Sequence, residues 1–291
     1  PVPRPQTKEH VVALNILGVK NLIIVQNKID LVSKDEAIKN YKDIKNFLDN
    51  ANLKNVPIIP VSAIHNLNTD LLLNYIQKNF SIKKNNTSES LRMYTIRSFD
   101  INDPGTSYSK LSGGVIGGSI LNGKLKVGDE LEILPGFLER KDGKIIHNPI
   151  YAKTLSIHTQ NTSLKEANSG GLIGVQTDLD PSLTKADGLV GNLCGKPGKL
   201  PDVKYELDMT HDLFDYVVGT DDKVKVDKIS INESLRLNVG ASVTLGHVTS
   251  VTDANVRVNL LKPVVADKDW TVAIARRVSD KWRLIGASKV T

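Results

Sequence analysis

The stretch Val25-Gln26-Asn27-Lys28-Ile29-Asp30 ends an apolar run with Asn27, Lys28 and Asp30, side chains suited to reading a purine edge. An ionised Asp30 carboxylate can accept from guanine N1–H and from its exocyclic amine together, a charge-assisted bidentate pair. Adenine offers no such pair of donors and would leave the carboxylate desolvated and unpaired. The Asn27 amide can bond base N7 and tie neighbouring loops, while the methylene stem of Lys28 can cover one base face. Taken alone, the same residues also read as a polar strand-to-helix turn in which Asp30 caps. A second strand end, Pro60-Val61-Ser62-Ala63-Ile64-His65-Asn66, follows after one helix and one strand, and there the Ala63 N–H can donate to guanine O6. We therefore expect Asn27, Lys28, Ile29, Asp30, Ser62, Ala63 and Ile64 to line a guanine site. His65, just beyond, reads as a loop residue.

Those two loops need a particular frame. Residues 19–26 and 56–63 are near-continuous apolar runs, the pattern of parallel strands buried on both faces. Helices lie between and around them. Thr7 is placed to cap one that carries Val11, Val12, Leu14 and Ile16. Ser33 and Glu36 form a capping box for one with Ile38, Tyr41, Ile44 and Leu48 on a single face. Leu71, Leu72, Tyr75, Ile76 and Phe80 mark a third. Alternating strand and helix with short links gives α/β with a parallel sheet, and ligands bind such sheets at the strand ends.

The polar stretch 81–90 reads as a linker, and beyond it the helical period disappears. Short runs rich in Val, Ile, Leu and Thr recur between Gly, Pro, Asn and Asp, as in all-β barrels or sandwiches. A Gly/Pro-rich boundary at 195–201 divides them into two. The domains expected are 1–82, 91–202 and 203–291. Within the second, Gly118 to Leu125 nearly spells a phosphate loop. Leu125 has no oxygen for Mg²⁺, however, and Asn122-Gly123 between apolar runs reads as a hairpin turn. Gly113, Gly114, Gly117 and Gly118 permit close approach of a backbone or ligand, but plain barrel closure uses glycine in the same way.

Bulk properties bound the class. The chain has 291 residues, a formal charge of +6 and one cysteine, Cys194. A single thiol excludes an internal disulfide and suits a reducing compartment, so a cytoplasmic protein is expected. Cys194 itself reads as core filler. The positive charge permits nucleic-acid contact without demonstrating it. No apolar run approaches the roughly 18 residues of a membrane helix, and no membrane partner is expected.

"PRPQTKEH" (3–10), "QNKID" (26–30) and "VSAIHN" (61–66) resemble segments of translational GTPases of the elongation factor Tu type. In that family the Pro-Gln-Thr-x-Glu-His segment lies midway through the GTPase domain, after the phosphate loop, the switches and an Asp-x-x-Gly element. None of these occurs in the 291 residues. The fold class the resemblance implies is the C-terminal half of a P-loop GTPase domain followed by two β-barrels. GTP/GDP is the implied cofactor, with Mg²⁺ ligands expected in the missing N-terminal part. "IRSFDINDPGT" (96–106), "LDPSLTKADGLVG" (179–191) and "ARRVSDKWRLIG" (275–286) narrow the likeness to the gamma subunit of archaeal and eukaryotic initiation factor 2.

That resemblance implies a GTPase that delivers methionylated initiator tRNA to the small ribosomal subunit, together with alpha and beta subunits. It also implies a tRNA-binding wall in the second domain, at Arg97, Gly113, Gly114, Val115, Gly117 and Gly118. Gly170 and Gly171 belong to the opposite wall, "EANSGGLIGV" (166–175). Arg97 would stack on a base or pair with phosphate, unless it is a solvated strand residue. Valine at Gly114 or Gly117 is expected to be tolerated by the barrel better than by the ligand. Two rival readings are an elongation factor of the Tu or selenocysteine-specific type, and a non-catalytic docking platform for partner subunits.

No residue in the chain has the setting of a phosphate loop or of a water-positioning group. A purified polypeptide of residues 1–291 is therefore expected to show no GTP turnover above background; turnover in a preparation free of contaminating GTPase would overturn this.

Overall fold

The computed structural model of the chain describes residues 4–16, 18–19, 21–51, 53, 55–80, 88–160, 162–218 and 224–291. Most of the expected linker, 81–87, lies outside them. The chain divides into two compact units: Pro1–Lys83 with Phe214–Val226 and Arg283–Ile285, and Lys84–Leu213 with Asp227–Trp282 and Gly286–Thr291.

In the first unit the order is α1 (Pro5–Ile16), β1 (Ile24–Gln26), α2 (Lys34–Asn50), β2 (Ile58–Pro60) and α3 (Thr69–Asn79). The strands pair in parallel, Ile24 opposite Ile58 and Gln26 opposite Pro60. Helix α1 starts at Pro5 rather than behind Thr7, because proline has its φ preset for the first turn and lacks only an N–H that the helix does not use. The capping box forms as expected: Ser33 Oγ accepts from Glu36 N and Glu36 Oε2 accepts from Ser33 N. Of the face expected on α2, Ile44 and Leu48 are buried while Ile38 and Tyr41 are exposed. Nor is β1 covered on both faces, since Val25 is 40% exposed. A two-stranded sheet is too narrow for its helices to cover both sides.

The second unit is β structure. Its first part comprises β3 (Arg92–Phe99), β4 (Val115–Asn122), β5 (Lys124–Lys126), β6 (Glu130–Lys141), β7 (Lys144–Thr159), β8 (Thr162–Leu164), β9 (Glu166–Asn168), β10 (Ile173–Thr177) and β11 (Leu193–Gly195), with the one-turn helix α4 (Pro181–Thr184) between β10 and β11. The order β10-β4-β3-β11-β6-β7 is closed by β7 pairing with β10, which makes a six-stranded barrel. Strands β5 and β9 pair with each other outside that ring. Asn122-Gly123 is thus a turn between strands that part, not a hairpin, and no helix follows it.

Side chains alternate as a barrel requires. Ile116, Ile120, Ile173 and Val175 point inward from β4 and β10 and meet Met93, Leu131, Ile133 and Ile157 in the core. Burying each such side chain contributes about 1.5–3 kcal/mol. Cys194 is part of this core, in the strand between β3 and β6, opposite Met93 and Ile133. Burial pushes its thiol up to about 12, opposed in part by the Thr95 hydroxyl 3.2 Å away.

The second sheet holds β12 (Val203–Thr210), β13 (Asp212–Leu213), β14 (Ser234–Val239), β15 (Ser242–Val251), β16 (Asn255–Val265), β17 (Thr271–Val278) and β18 (Lys281–Lys289), in the order β12-β16-β15-β14-β17-β18-β13. Among the described residues no continuous ladder joins its ends, which makes it a half-barrel where the first is closed. A single bridge, Met209 to Val290, draws them together. The two sheets are fastened by the ion pair of Arg92 with Asp267 at 3.2 Å, by Tyr94 edge-on to Trp270 at 6.2 Å, and by the Tyr205 hydroxyl 2.8 Å from His147 Nδ1.

Two neighbouring glycines of β4 differ in what they face. A Cβ on Gly118 would collide with the Tyr94 carbonyl, whereas one on Gly117 would find its nearest atom, Arg97 Cβ, at 3.4 Å. Gly118→Ala should therefore cost about 1–3 kcal/mol of stability. Gly117→Ala should stay within about 0.5 kcal/mol of the parent, as surface changes usually do. Thermal melting of the two variants checks the contrast.

Candidate functional site

At the end of β1 the chain leaves the sheet through Asn27 and a left-handed Lys28 (φ 65°) into a single 3-10 turn, Ile29–Leu31. Asn27 Oδ1 accepts from the Lys28 N–H at 2.8 Å and from the Ala63 N–H at 3.2 Å. The Asn27 carbonyl oxygen thus ties the two loops, and the Ala63 amide that the sequence offers to guanine O6 is engaged with it. Ile29 N donates to Val61 O at 3.4 Å, a second tie. Gln26, buried behind the loop, donates to Ala37 O and Asn40 Oδ1 of α2 and so anchors the strand end to the helix. Nothing in the apolar pattern singled out that anchor.

Asp30 and Ser62 are brought together. The Asp30 side chain is 18% exposed, and its carboxyl is held below the usual carboxylate range, first by the Ser62 hydroxyl beside it. His65 Nε2, 3.9 Å from Asp30 Oδ2, and Lys28 add to this, against the effect of desolvation. Ser62 Oγ is itself buried and has no hydrogen-bond partner within bonding geometry among the described residues. An ionised carboxylate with a buried hydroxyl spare beside it is the donor-seeking set that a guanine edge fits. Ile64 is exposed at the loop tip.

The glycine stretch of the barrel forms a second concavity, of about 510 Å³, on the outer face of β3, β4, β7 and β10. Gly117 and Gly174 sit directly opposite one another in the β4–β10 ladder and give it a floor without side chains. Ile101 and Leu172, 50% and 67% exposed, form apolar parts of its lining. The ladder between β3 and β4 steps from Thr95 opposite Gly118 to Arg97 opposite Gly117, skipping Ile96. That bulge puts two successive side chains, Ile96 and Arg97, on the outer face, where regular alternation would put one. Arg97 donates through Nε to Asp187 Oδ1 at 3.0 Å. His158 Nε2 lies 3.0 Å from Ser156 Oγ, which donates to Gln176 Oε1 across the strands.

The sequence-derived wall therefore separates into two groups. Arg97, Val115, Gly117 and Gly118 line the cleft. Gly113 and Gly114 do not; a Cβ on Gly113 would strike the Thr177 carbonyl, and one on Gly114 would lie 3.0 Å from Thr184 Cβ and closer still to its hydroxyl and methyl. Valine at Gly114 would disrupt the barrel itself, so the expected tolerance holds for Gly117 alone. Gly170 and Gly171 have φ of 114° and 72° with open space around them, the geometry of a turn leading into β10. Gly174, Ile101, Leu172 and His158 were missed, because strand alternation does not tell which outward residues share a hollow.

Comparison with known proteins bears on both regions. The family model described as "Elongation factor Tu GTP binding domain" matches residues 3–81, and that described as "Initiation factor eIF2 gamma, C terminal" matches 205–290. Translation initiation factor 2 subunit gamma of Archaeoglobus fulgidus is 47% identical over 98% of this chain and 66% of its own length. The same subunit of Pyrococcus furiosus is 46% identical over 98% and 70%. The chain spans about two thirds of the length of these curated relatives. Among solved structures, the bacterial selenocysteine-specific elongation factor EF-Sec is 21% identical with a TM-score of 0.75, over 98% of this chain and 42% of that one. Elongation factor SelB of Methanococcus maripaludis, in complex with the GTP analogue GPPNHP, is 22% identical with a TM-score of 0.75, over 99% and 62%. At such identities these structures show the fold alone.

Removing the Asp30 charge should exchange one base preference for another. Asp30→Asn in the complete protein is expected to weaken GTP binding roughly a hundredfold, from two charge-assisted hydrogen bonds of about 1.5–3 kcal/mol each that are partly replaced. It should favour xanthosine nucleotides, which present an oxygen where guanine has its amine. Competition between GTP and XTP checks it, and unchanged GTP affinity would remove Asp30 from the base site.

Proposed function

Because the chain belongs to the family of translation initiation factor 2 gamma subunits, within the translational GTPases, we propose that it carries the base-reading and tRNA-holding parts of a GTP-dependent initiation factor. In this reading the complete protein binds GTP and methionylated initiator tRNA and delivers the tRNA to the small ribosomal subunit, assembled with alpha and beta subunits in the cytoplasm. No helix among the described residues is long and apolar enough to cross a membrane.

The observation that carries the tRNA half is the Gly117–Gly174 floor. A hollow without side chains, edged by apolar groups and one guanidinium, suits a ligand with a planar base, an ester and an anionic backbone. The aminoacylated 3′ end of a tRNA has all three. Arg97 would meet phosphate or a base face, Ile101 and Leu172 the apolar portion, and His158, held by Ser156, a polar edge.

The nucleotide half rests on Asp30, Asn27 and Ser62. Their donor and acceptor types fit guanine, and they would hold the base in the plane set by the two loops. Bound GTP supplies the phosphoryl group that such factors cleave. Its phosphates and Mg²⁺ would be held by residues outside these 291, since no sequence here has the form of a phosphate loop. What this chain does for the nucleotide is to select and orient the base.

An elongation factor of the selenocysteine type shares the fold, but the match at 205–290 is to the initiation factor's own C-terminal model. A docking platform without nucleotide would leave the Asp30–Ser62 pairing without a use.

Gly117→Val is the test of the cleft, because the position has room that Gly114 lacks. In the complete subunit loaded with GTP, this variant should lose at least about tenfold in affinity for methionylated initiator tRNA, in line with an overpacking penalty of about 1–3 kcal/mol. Its melting temperature and nucleotide affinity should remain near those of the parent. A folded variant that binds the tRNA as the parent does would take the acceptor end away from this cleft.

A further inference from the structure

The stretch Leu179–Gly191 is distinctive in the sequence, yet neither site uses it as a lining. It is a strap laid along the outer end of β3 and tied to three consecutive residues there. Asp187 Oδ1 accepts from Arg97 Nε and from the Ser98 N–H, each at 3.0 Å. The Ser98 hydroxyl accepts from the Leu189 N–H at 3.0 Å. The Thr184 hydroxyl donates to the Phe99 carbonyl at 3.1 Å. Asp180 caps the start of the strap by accepting from Ser182 N. Gly114, by lacking a Cβ, makes room for Thr184.

The backbone of the strap is constrained where it meets Arg97. Ala186 and Asp187 have φ of 52° and 61°, two successive left-handed residues neither of which is glycine. Such a conformation persists only where its surroundings impose it. Here it sets the Asp187 carboxylate at the base of the Arg97 guanidinium, on the Nε side.

We propose that Asp187 is a positioning residue for ligand binding in the barrel cleft, acting through Arg97. It holds the guanidinium by Nε and leaves the two terminal amino groups, on a side chain 69% exposed, to meet a phosphate or a base face. The proposal rests on the reading that the cleft receives the aminoacyl end of a tRNA. Two effects compete. The Asp187 charge opposes an anionic ligand, but the pair is exposed, and exposed charges act weakly through solvent. Against this, an arginine ordered beforehand does not lose its rotamer freedom on binding. For a side chain carried on a bulge, where the backbone gives no regular register, the ordering is the larger effect.

The test is a double-mutant cycle in the complete GTP-loaded subunit, reading methionylated initiator tRNA affinity at fixed salt. Asp187→Ala should weaken binding about three- to tenfold and should have no further effect in an Arg97→Ala background. Asp187→Asn keeps an acceptor for Arg97 Nε and Ser98 N, and should recover affinity to within about twofold of the parent. In the free protein, the Arg97 Nε–H resonance should be ordered in the parent and broadened by exchange in Asp187→Ala. If Arg97→Ala weakens binding while Asp187→Ala leaves it unchanged or tightens it, the positioning role is overturned and the cleft stands. Equal losses from Asp187→Ala in both backgrounds would also overturn it, since they would make the strap a purely structural brace. A parent that does not bind the tRNA refutes the reading of the cleft and this proposal with it.

Discussion

A strand order that returns on itself leaves no edge, and the barrel of β3 to β11 depends on that closure. Strand β10 is the closing piece, because it pairs with β4 on one side and β7 on the other. Its neighbours must come close for the ring to shut. Gly113 lies against the Thr177 carbonyl and Gly118 against that of Tyr94, contacts that a Cβ would prevent. The same closure creates the cleft, since the ladder that shuts the barrel also sets Gly117 opposite Gly174 on its outer face. Closure and ligand approach thus draw on adjacent positions of one glycine run, and strand alternation divides them: inward or crowded glycines serve the barrel, outward ones the hollow.

The two candidate sites are of different physical kinds. The loops at the ends of β1 and β2 present a charged acceptor supported by a buried hydroxyl and tied by the Asn27–Ala63 hydrogen bond, so in the proposed function selectivity there would come from directed hydrogen bonds. The barrel cleft has few directed groups and much apolar surface, so in the proposed function shape and Arg97 would do most of the discrimination. A bulge at Ile96 and the strap that carries Asp187 aim that arginine, while a left-handed Lys28 turns the other loop. In both places the backbone departs from its regular form where a side chain has to be directed.

Much of this was legible from the sequence, for reasons that can be named. Asn27 to Asp30 and Ser33 to Glu36 are local patterns, fixed by residues a few positions apart, and they fold as their chemistry dictates. Strand and linker composition separated an α/β region from β structure. What was hidden depends on distant pairs. The bulge at Ile96 exists only in the ladder with Gly117 and Gly118, and the difference between Gly114 and Gly117 lies in Thr184, far along the chain. Coverage of β1 was overestimated because an apolar run reports preference for burial, and not whether enough structure is present to bury it. How far the second sheet closes likewise rests on a distant pair, the bridge of Met209 to Val290.

Cys194 has a consequence of its own. It is the only thiol in the chain, it is fully buried in β11, and its proton is held tightly by the apolar surroundings. A thiol-reactive reagent cannot reach it unless β11 parts from β3 or β6. The rate of its covalent labelling is therefore a clock for opening of the barrel seam, read without any engineered probe. That seam lies directly after the strap, and β3 belongs to both. A ligand that tightens the cleft from outside should slow the clock from within, so one native sulfur atom links the breathing of the core to the occupancy of the surface.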